Sequence, residues 1–173
     1  MSTLLVALLA LVLLVVILFM LRAGASFAPW IPSSSAMAEQ ALRYIAPQPG
    51  STFVDLGCGD GRIVFLAHRK FGLVACGYEF SPLPYCIAKL RQLAYLNKPV
   101  SIEFENFFDV DLSTFDIIYG YGLPKTINQK LLPKLQKGVR PGTYVISYNF
   151  SFEDRKPLQV FHNRWRSIYI YRF

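Results

Sequence analysis

Cysteine is scarce: 173 residues contain three, Cys58, Cys76 and Cys86, with no C-x-x-C pair and no even-numbered framework. That excludes a disulfide-stapled scaffold and a zinc ribbon, and it suits a reducing compartment. Histidine occurs twice, His68 on an expected helix and His162 in an expected hairpin. Both read as structural, so no obvious general base is on offer and no metal is expected. Acidic residues are outnumbered, 11 against 18 lysines and arginines, for a net charge of +7. Such a charge permits nucleic acid, anionic lipid or an acidic partner without choosing among them. No internal repeat is present. No aromatic-basic platform for single strands stands out either, so nucleic acid is not expected.

The N-terminus lacks polarity altogether. Residues 4–21 include no charged, polar, glycine or proline residue. At about 1.5 Å per residue, a helix of that length crosses the hydrocarbon core of a bilayer. A buried core helix would show a polar face. A signal peptide would want a basic start, which Met1-Ser2-Thr3 does not supply, and an apolar stretch of only about 7–15 residues. Ala23-Gly24-Ala25 could still serve as a cleavage site, which keeps that alternative open. Arg22 is the first charge after the run and the remainder is basic, so the positive-inside rule puts the domain in the cytoplasm. The expected organisation is an anchor over 1–25, a linker and first helix over 26–50, and one domain over 51–173. Membrane lipid is then a partner through the anchor. Pro29, Pro32 and Ser33-Ser34-Ser35 mark the linker, and Trp30 suits the membrane interface.

Ser35 is placed to cap a helix over 36–45. Beyond Gly50, strands over 52–56, 73–78, 100–104, 115–119 and 143–149 alternate with helices over 62–70, 82–95 and 127–135. A hairpin over 159–162 and 167–171 ends the chain. This is an α/β pattern: a mostly parallel sheet covered by helices, binding ligands at the carboxyl ends of its strands, with an antiparallel terminal hairpin as the one departure.

The chemistry concentrates in Val54-Asp55-Leu56-Gly57-Cys58-Gly59-Asp60-Gly61-Arg62, where a strand passes through a glycine turn into a helix. Glycines at alternate positions allow a sharp turn and a close ligand approach, and the helix N-terminus offers free N–H groups. A dinucleotide fingerprint would place its third glycine one residue later. Asp55 and Asp60 also flank the turn, poor company for a pyrophosphate but suited to a cofactor carrying an ammonium or sulfonium. Glu79, ending the next strand about 20 residues on, stands where an acid accepts ribose hydroxyls. Asn106-Phe107-Phe108 follows the third strand and could meet a base, although either phenylalanine could equally be core.

These residues resemble the class I S-adenosylmethionine-dependent methyltransferases, over about 52–173. The resemblance implies a Rossmann-like sheet with S-adenosyl-L-methionine as cofactor. It implies that Asp55, Gly57, Gly59 and Gly61 line the methionine half, Glu79 the ribose, and Asn106 with Phe107 the adenine. With Trp30-Ile31-Pro32-Ser33-Ser34 and Gly77-Tyr78-Glu79-Phe80-Ser81-Pro82, the chain is similar to small membrane-anchored protein-lysine methyltransferases of mitochondrial carriers and ATP synthase c-subunits. In that family the segment holding Pro32 and Ser33 closes over the cofactor. Phe80-Ser81 stands where the family tends to have Leu-Asn. The acceptor implied is a lysine of a protein, with a membrane protein among the candidates.

Tyr119-Gly120-Tyr121-Gly122-Leu123-Pro124 ends the fourth strand at the expected acceptor mouth. Tyr121 and Pro124 are the candidates for the catalytic step, Tyr121 as an aromatic wall for an amine and its methylated cation. Lys125, Lys130, Lys134, Lys137 and Arg140 lie beside that mouth, either as a solvated helix face or as a contact for anionic lipid. A small-molecule or lipid methyltransferase and a cofactor-binding membrane scaffold without turnover are the rival functions.

Overall fold

The computed structural model describes residues 5–11, 13–14 and 33–173. The segment read as membrane-spanning lies largely outside them. Its described parts, 5–11 and 13–14, are helical, and their leucines are more than half exposed. Among the described residues no helix is long and apolar enough to cross a membrane.

The first helix of the domain, α1 (Ser35–Ile45), starts one residue before its expected position. Ser34, not Ser35, caps it, with its Oγ accepting from the Met37 N–H at 3.4 Å. Strand β1 (Thr52–Leu56) leads through the glycine turn into α2 (Arg62–Phe71), and β2 (Val74–Tyr78) into α3 (Pro82–Gln92). The last turn of the helix expected over 82–95 tightens to a 3₁₀ turn, Leu93–Tyr95. After β3 (Val100–Glu103), β4 covers Ile117–Tyr121, two residues later than expected, so Tyr119 is strand interior and Tyr121 the strand end.

The helix expected over 127–135 breaks into three parts: α4 (Pro124–Thr126), a π turn (Ile127–Leu131) and α5 (Leu132–Gly138). Pro133 has no N–H to give the preceding turn, and a π bulge accommodates that loss. Strands β5 (Tyr144–Tyr148), β6 (Gln159–His162) and β7 (Ser167–Arg172) complete the domain.

The seven strands form one sheet in the order β3-β2-β1-β4-β5-β7-β6. β1 to β5 run parallel to one another, while β7 is antiparallel to both β5 and β6. The expected mixed sheet with its terminal hairpin is therefore present. The chain reverses direction across the sheet after β3, which opens a crevice at the carboxyl ends of β1 and β4.

Period-2 alternation sorts the two faces. Phe53, Tyr119, Ile146 and Tyr148 point to the layer made by α1, α2 and α3, with Met37, Leu42, Val64 and Ala88. Val54, Leu56, Ile118 and Val145 point to the other layer, with Ile127, Leu131, Leu135 and Phe152. Lys134 ties that second layer to the loop after β3, donating to the Phe108 carbonyl at 2.8 Å and the Val110 carbonyl at 2.6 Å. Arg140 pairs with Asp116, which caps the start of β1 by accepting from the Thr52 N–H at 2.8 Å. Of the five cations read as one basic stretch, these two are thus engaged within the fold.

Candidate active site

Asp55 sits in the middle of a lateral row across the sheet. Register places Gly77 of β2 on one side of it and Tyr119 of β4 on the other. Asp55 is 4% exposed. Burial first, then the charges of Glu79 and Asp60, push it well above the ordinary aspartate range. The neighbouring Tyr119 hydroxyl is also buried and has no hydrogen-bond partner among the described residues. Burial raises that phenol too, with Asp55 adding to the effect. Ser33 lies close enough to oppose this without making a bond of proper geometry. A buried acid beside a buried phenol that lacks a partner is costly unless a ligand completes the site.

The turn above them is built for such a ligand. Gly57, Gly59 and Gly61 all have left-handed φ, 76°, 58° and 76°. A Cβ on Gly57 would meet nothing within 4 Å, so its demand is for backbone conformation and it leaves open space. A Cβ on Gly61 would come within 2.6 Å of the Phe65 ring, so this glycine serves the packing of α2. The Gly57 and Cys58 N–H groups both donate to the Tyr78 carbonyl at 2.9 Å, folding the turn back onto β2.

Glu79 locks that arrangement. It is 8% exposed, with Oε2 accepting from the Gly59 N–H at 2.8 Å and Oε1 from the Ser81 N–H at 2.7 Å. Each oxygen keeps a further acceptor site, as a ribose diol would require.

Asp60 departs from the expectation that it faces the cofactor. Arg62 and Arg91 reach its Oδ2 at 2.7 Å and 2.6 Å. Burial alone would raise this carboxyl, but the hydrogen bonds and charges of the arginines outweigh burial and hold it below the usual range. Of the two acids flanking the turn, only Asp55 is therefore left to meet a cation.

Asn106 and Phe107 also differ from the reading that paired them against an adenine. The Asn106 Oδ1 accepts from the Phe108 N–H at 3.2 Å, which makes a local turn. Phe107 is 5% exposed and packs in the second core layer against the α4–α5 side. The exposed aromatics at this end are Phe80, directly after Glu79, and Phe104, directly after β3, stacked with centroids 5.5 Å apart. The signal for Phe80 was its position after the strand-ending acid.

On the acceptor side, Tyr121 is laterally paired with Tyr148 of β5. Its ring meets Tyr148 edge-on at 6.0 Å and stacks with Phe150 at 6.2 Å. Pro124 is exposed and opens α4, two residues past Gly122. Ser33 lies beside Tyr119, and the Ser34 N–H donates to the Tyr148 hydroxyl at 3.3 Å, so the linker end crosses this mouth. Pro32 lies outside the described residues.

A buried acid beside an unpartnered phenol at the centre of a 3-2-1-4-5-7-6 sheet, under a turn pinned by the acid of the next strand, fits the cationic methionine end and the ribose of S-adenosyl-L-methionine. The fold and the site are those of a class I methyltransferase using that cofactor.

The chain belongs to the family of the ANTKMT methyltransferase domain, whose model matches residues 55–159. It is similar to a protein-lysine N-methyltransferase of Saccharolobus islandicus, 29% identical over 150 residues, covering 83% of this chain and 92% of that one. It is also similar to the adenine nucleotide translocase lysine N-methyltransferase of Mus musculus, 31% identical over 133 residues. That match covers 76% of this chain and spans 57% of the mouse protein's length. Among solved structures, an RNA methyltransferase from Salinibacter ruber in complex with S-adenosyl-L-homocysteine superposes with a TM-score of 0.76. It shares 29% identity over 82% of this chain and 93% of that one.

The raised Asp55 carboxyl carries a pH prediction. A folded-state value above the unfolded one means that the free protein binds this proton more tightly when folded. That contribution to stability is full below the ordinary aspartate value and is lost as pH rises through the folded value. A bound cation favours the carboxylate, so cofactor affinity should rise with pH over the same window and binding should release a proton. Calorimetry in two buffers of different ionisation enthalpy reads that proton directly. Asp55→Asn should abolish it, and equal heats in both buffers for the wild type would refute the coupling.

Proposed function

We propose that the chain is a protein-lysine N-methyltransferase held at a membrane by its N-terminal apolar run, with its domain on the cytoplasmic side. The observation that carries the acceptor reading is the aromatic mouth of Tyr121, Tyr148 and Phe150 next to the Asp55–Tyr119 pair. S-adenosyl-L-methionine would supply an electrophilic methyl group on a sulfonium there, with Asp55, the Gly57–Gly59 turn and Glu79 holding it. Ser33 and Pro32 would cover it.

A lysine amine with a solution pKa near 10.4 is almost wholly protonated at neutral pH, so the mouth must favour the neutral form. Rings that exclude water do so by desolvation. The same faces receive the methylated cation. Protein-lysine activity in the names of the archaeal and mouse relatives supports the reading, as does the exposed apolar character of the described N-terminal helix.

The test is methyl transfer from tritiated cofactor by the full chain to membrane fractions and to RNA, followed by acid hydrolysis and amino-acid analysis. Label in methylated lysine supports the proposal. Label in RNA, lipid or a small metabolite would replace it, and cofactor binding with no transfer at all would leave a scaffold. Tyr121→Ala should lower kcat/KM about tenfold, the scale of a lost cation–π wall, with cofactor affinity unchanged.

A further inference from the structure

The outer face of α3 is apolar and unpartnered. Leu83, Cys86, Leu90 and Leu93 fall on one side of the helix at spacings of three and four residues, and Leu96 extends the row past the 3₁₀ turn. The four leucines are between 58% and 69% exposed. A shallow groove of about 600 Å³ runs along the ridge between Leu90, Leu93, Leu96 and Tyr85. Exposed apolar area in a continuous row calls for a covering surface.

A second groove, about 410 Å³, adjoins the ridge through Leu90 and is lined by Arg62, Arg69 and Arg91. Asp60 neutralises one of these charges, and Arg69 makes no ion pair among the described residues. Lys89 and Lys98 flank the ridge on the same helix and its following loop. Ser35 lines this groove as well, so the chain enters the domain from the linker at its rim. Residues 22–34 can span at most about 47 Å between the apolar run and that point.

Resting on the membrane-anchor reading, we infer that the α3 ridge and its arginine groove are a docking surface for an anionic bilayer. The leucines enter the interface and Arg69, Lys89 and Lys98 meet lipid phosphates. Apolar residues on one helix face with cations beside them are the pattern of an interfacial helix. The linker reaches this groove at Ser35 after crossing the acceptor mouth at Ser33 and Ser34, so groove and mouth both lie within the tether's reach of the membrane. The domain is then held by its side as well as by its anchor, and the position of the acceptor mouth relative to the bilayer is set by α3.

Cys86 is a native reporter: it is exposed within the ridge, whereas Cys58 is buried. The full chain would be reconstituted with vesicles of phosphatidylcholine, or of phosphatidylcholine with phosphatidylglycerol, and separated by flotation. Alkylation of Cys86 by a charged maleimide would be read by peptide mass spectrometry. The expected result is a rate at least tenfold lower on the anionic vesicles, returning to within about twofold of the phosphatidylcholine rate in an Arg69→Glu, Lys98→Glu variant that still floats.

A chain that floats on both vesicles with equal Cys86 rates would overturn the docking surface and leave the anchor standing. A chain that floats on neither would overturn both. Protection that rises with protein concentration in detergent, without lipid, would assign the ridge to a second copy of the chain.

Discussion

Replacing Glu79 by alanine should weaken S-adenosyl-L-methionine binding by about 100-fold, a loss of about 3 kcal/mol, as expected for one or two hydrogen bonds to a charged group. Two losses combine. The carboxylate that would accept the ribose hydroxyls is gone, and the Gly59 and Ser81 N–H groups it holds at 2.8 Å and 2.7 Å are released. Glu79→Gln separates them. The amide keeps one acceptor for one backbone N–H but turns its NH₂ toward the other, so it should cost affinity nearly as much while leaving more of the thermal stability.

Titration calorimetry of both variants, with Tm measured in the absence of cofactor, distinguishes the contributions. Unchanged affinity in Glu79→Ala would remove Glu79 from the cofactor site.

The strand-turn-helix core of the site was legible because local chemistry dictates it. Left-handed φ at Gly57, Gly59 and Gly61 and an acid at each of two strand ends are written residue by residue. The parallel run of the first five strands followed from alternation, whereas their order in the sheet did not. What the sequence could not display was which partner each acid would find. Asp55 and Asp60 look alike in the motif, yet Arg91, 31 residues away from Asp60, takes only the second out of play. Phe107 and Phe80 are likewise equivalent as aromatics near strand ends. The turn made by Asn106 sends the first into the core, whereas Phe80 follows Glu79 directly and remains 53% exposed.

The two-residue displacement of β4 has a similar origin. Phe115 and Asp116 read as strand by composition, but paired register with β1 and β5 begins at Ile117, and Asp116 closes the strand start with its backbone on Thr52 and Tyr144 and its side chain on the Thr52 N–H and Arg140. That displacement moves Tyr119 from the expected strand end into the strand interior beside Asp55 and leaves Tyr121 at the strand end. Register is a non-local property, set by the hydrophobic face that must be buried.

Gly77→Ala should be damaging out of proportion to its size, although Gly77 has ordinary strand φ and binds nothing through a side chain. It stands beside Asp55 in the lateral row, and the space its side chain would fill is taken by the turn itself. A Cβ there would come within 2.7 Å of the Cys58 Sγ, 2.8 Å of the Cys58 Cβ and 2.8 Å of the Val64 Cγ2. None of these is the far end of a flexible chain. Cys58 lies in the pinned turn and Val64 in the first turn of α2, both fully packed. Overpacking of this kind costs about 1–3 kcal/mol, a large share of the 5–15 kcal/mol that holds a typical domain folded.

Relief can come only by lifting Cys58, which would strain the Gly57 and Cys58 hydrogen bonds to the Tyr78 carbonyl and move the turn away from Glu79. The Tm should therefore fall by several degrees and cofactor affinity should fall with it. Cys58→Gly in the same chain removes both of the cysteine contacts and should recover part of each loss. A Gly77→Ala protein with wild-type Tm and wild-type affinity would show that the turn is not wedged against β2.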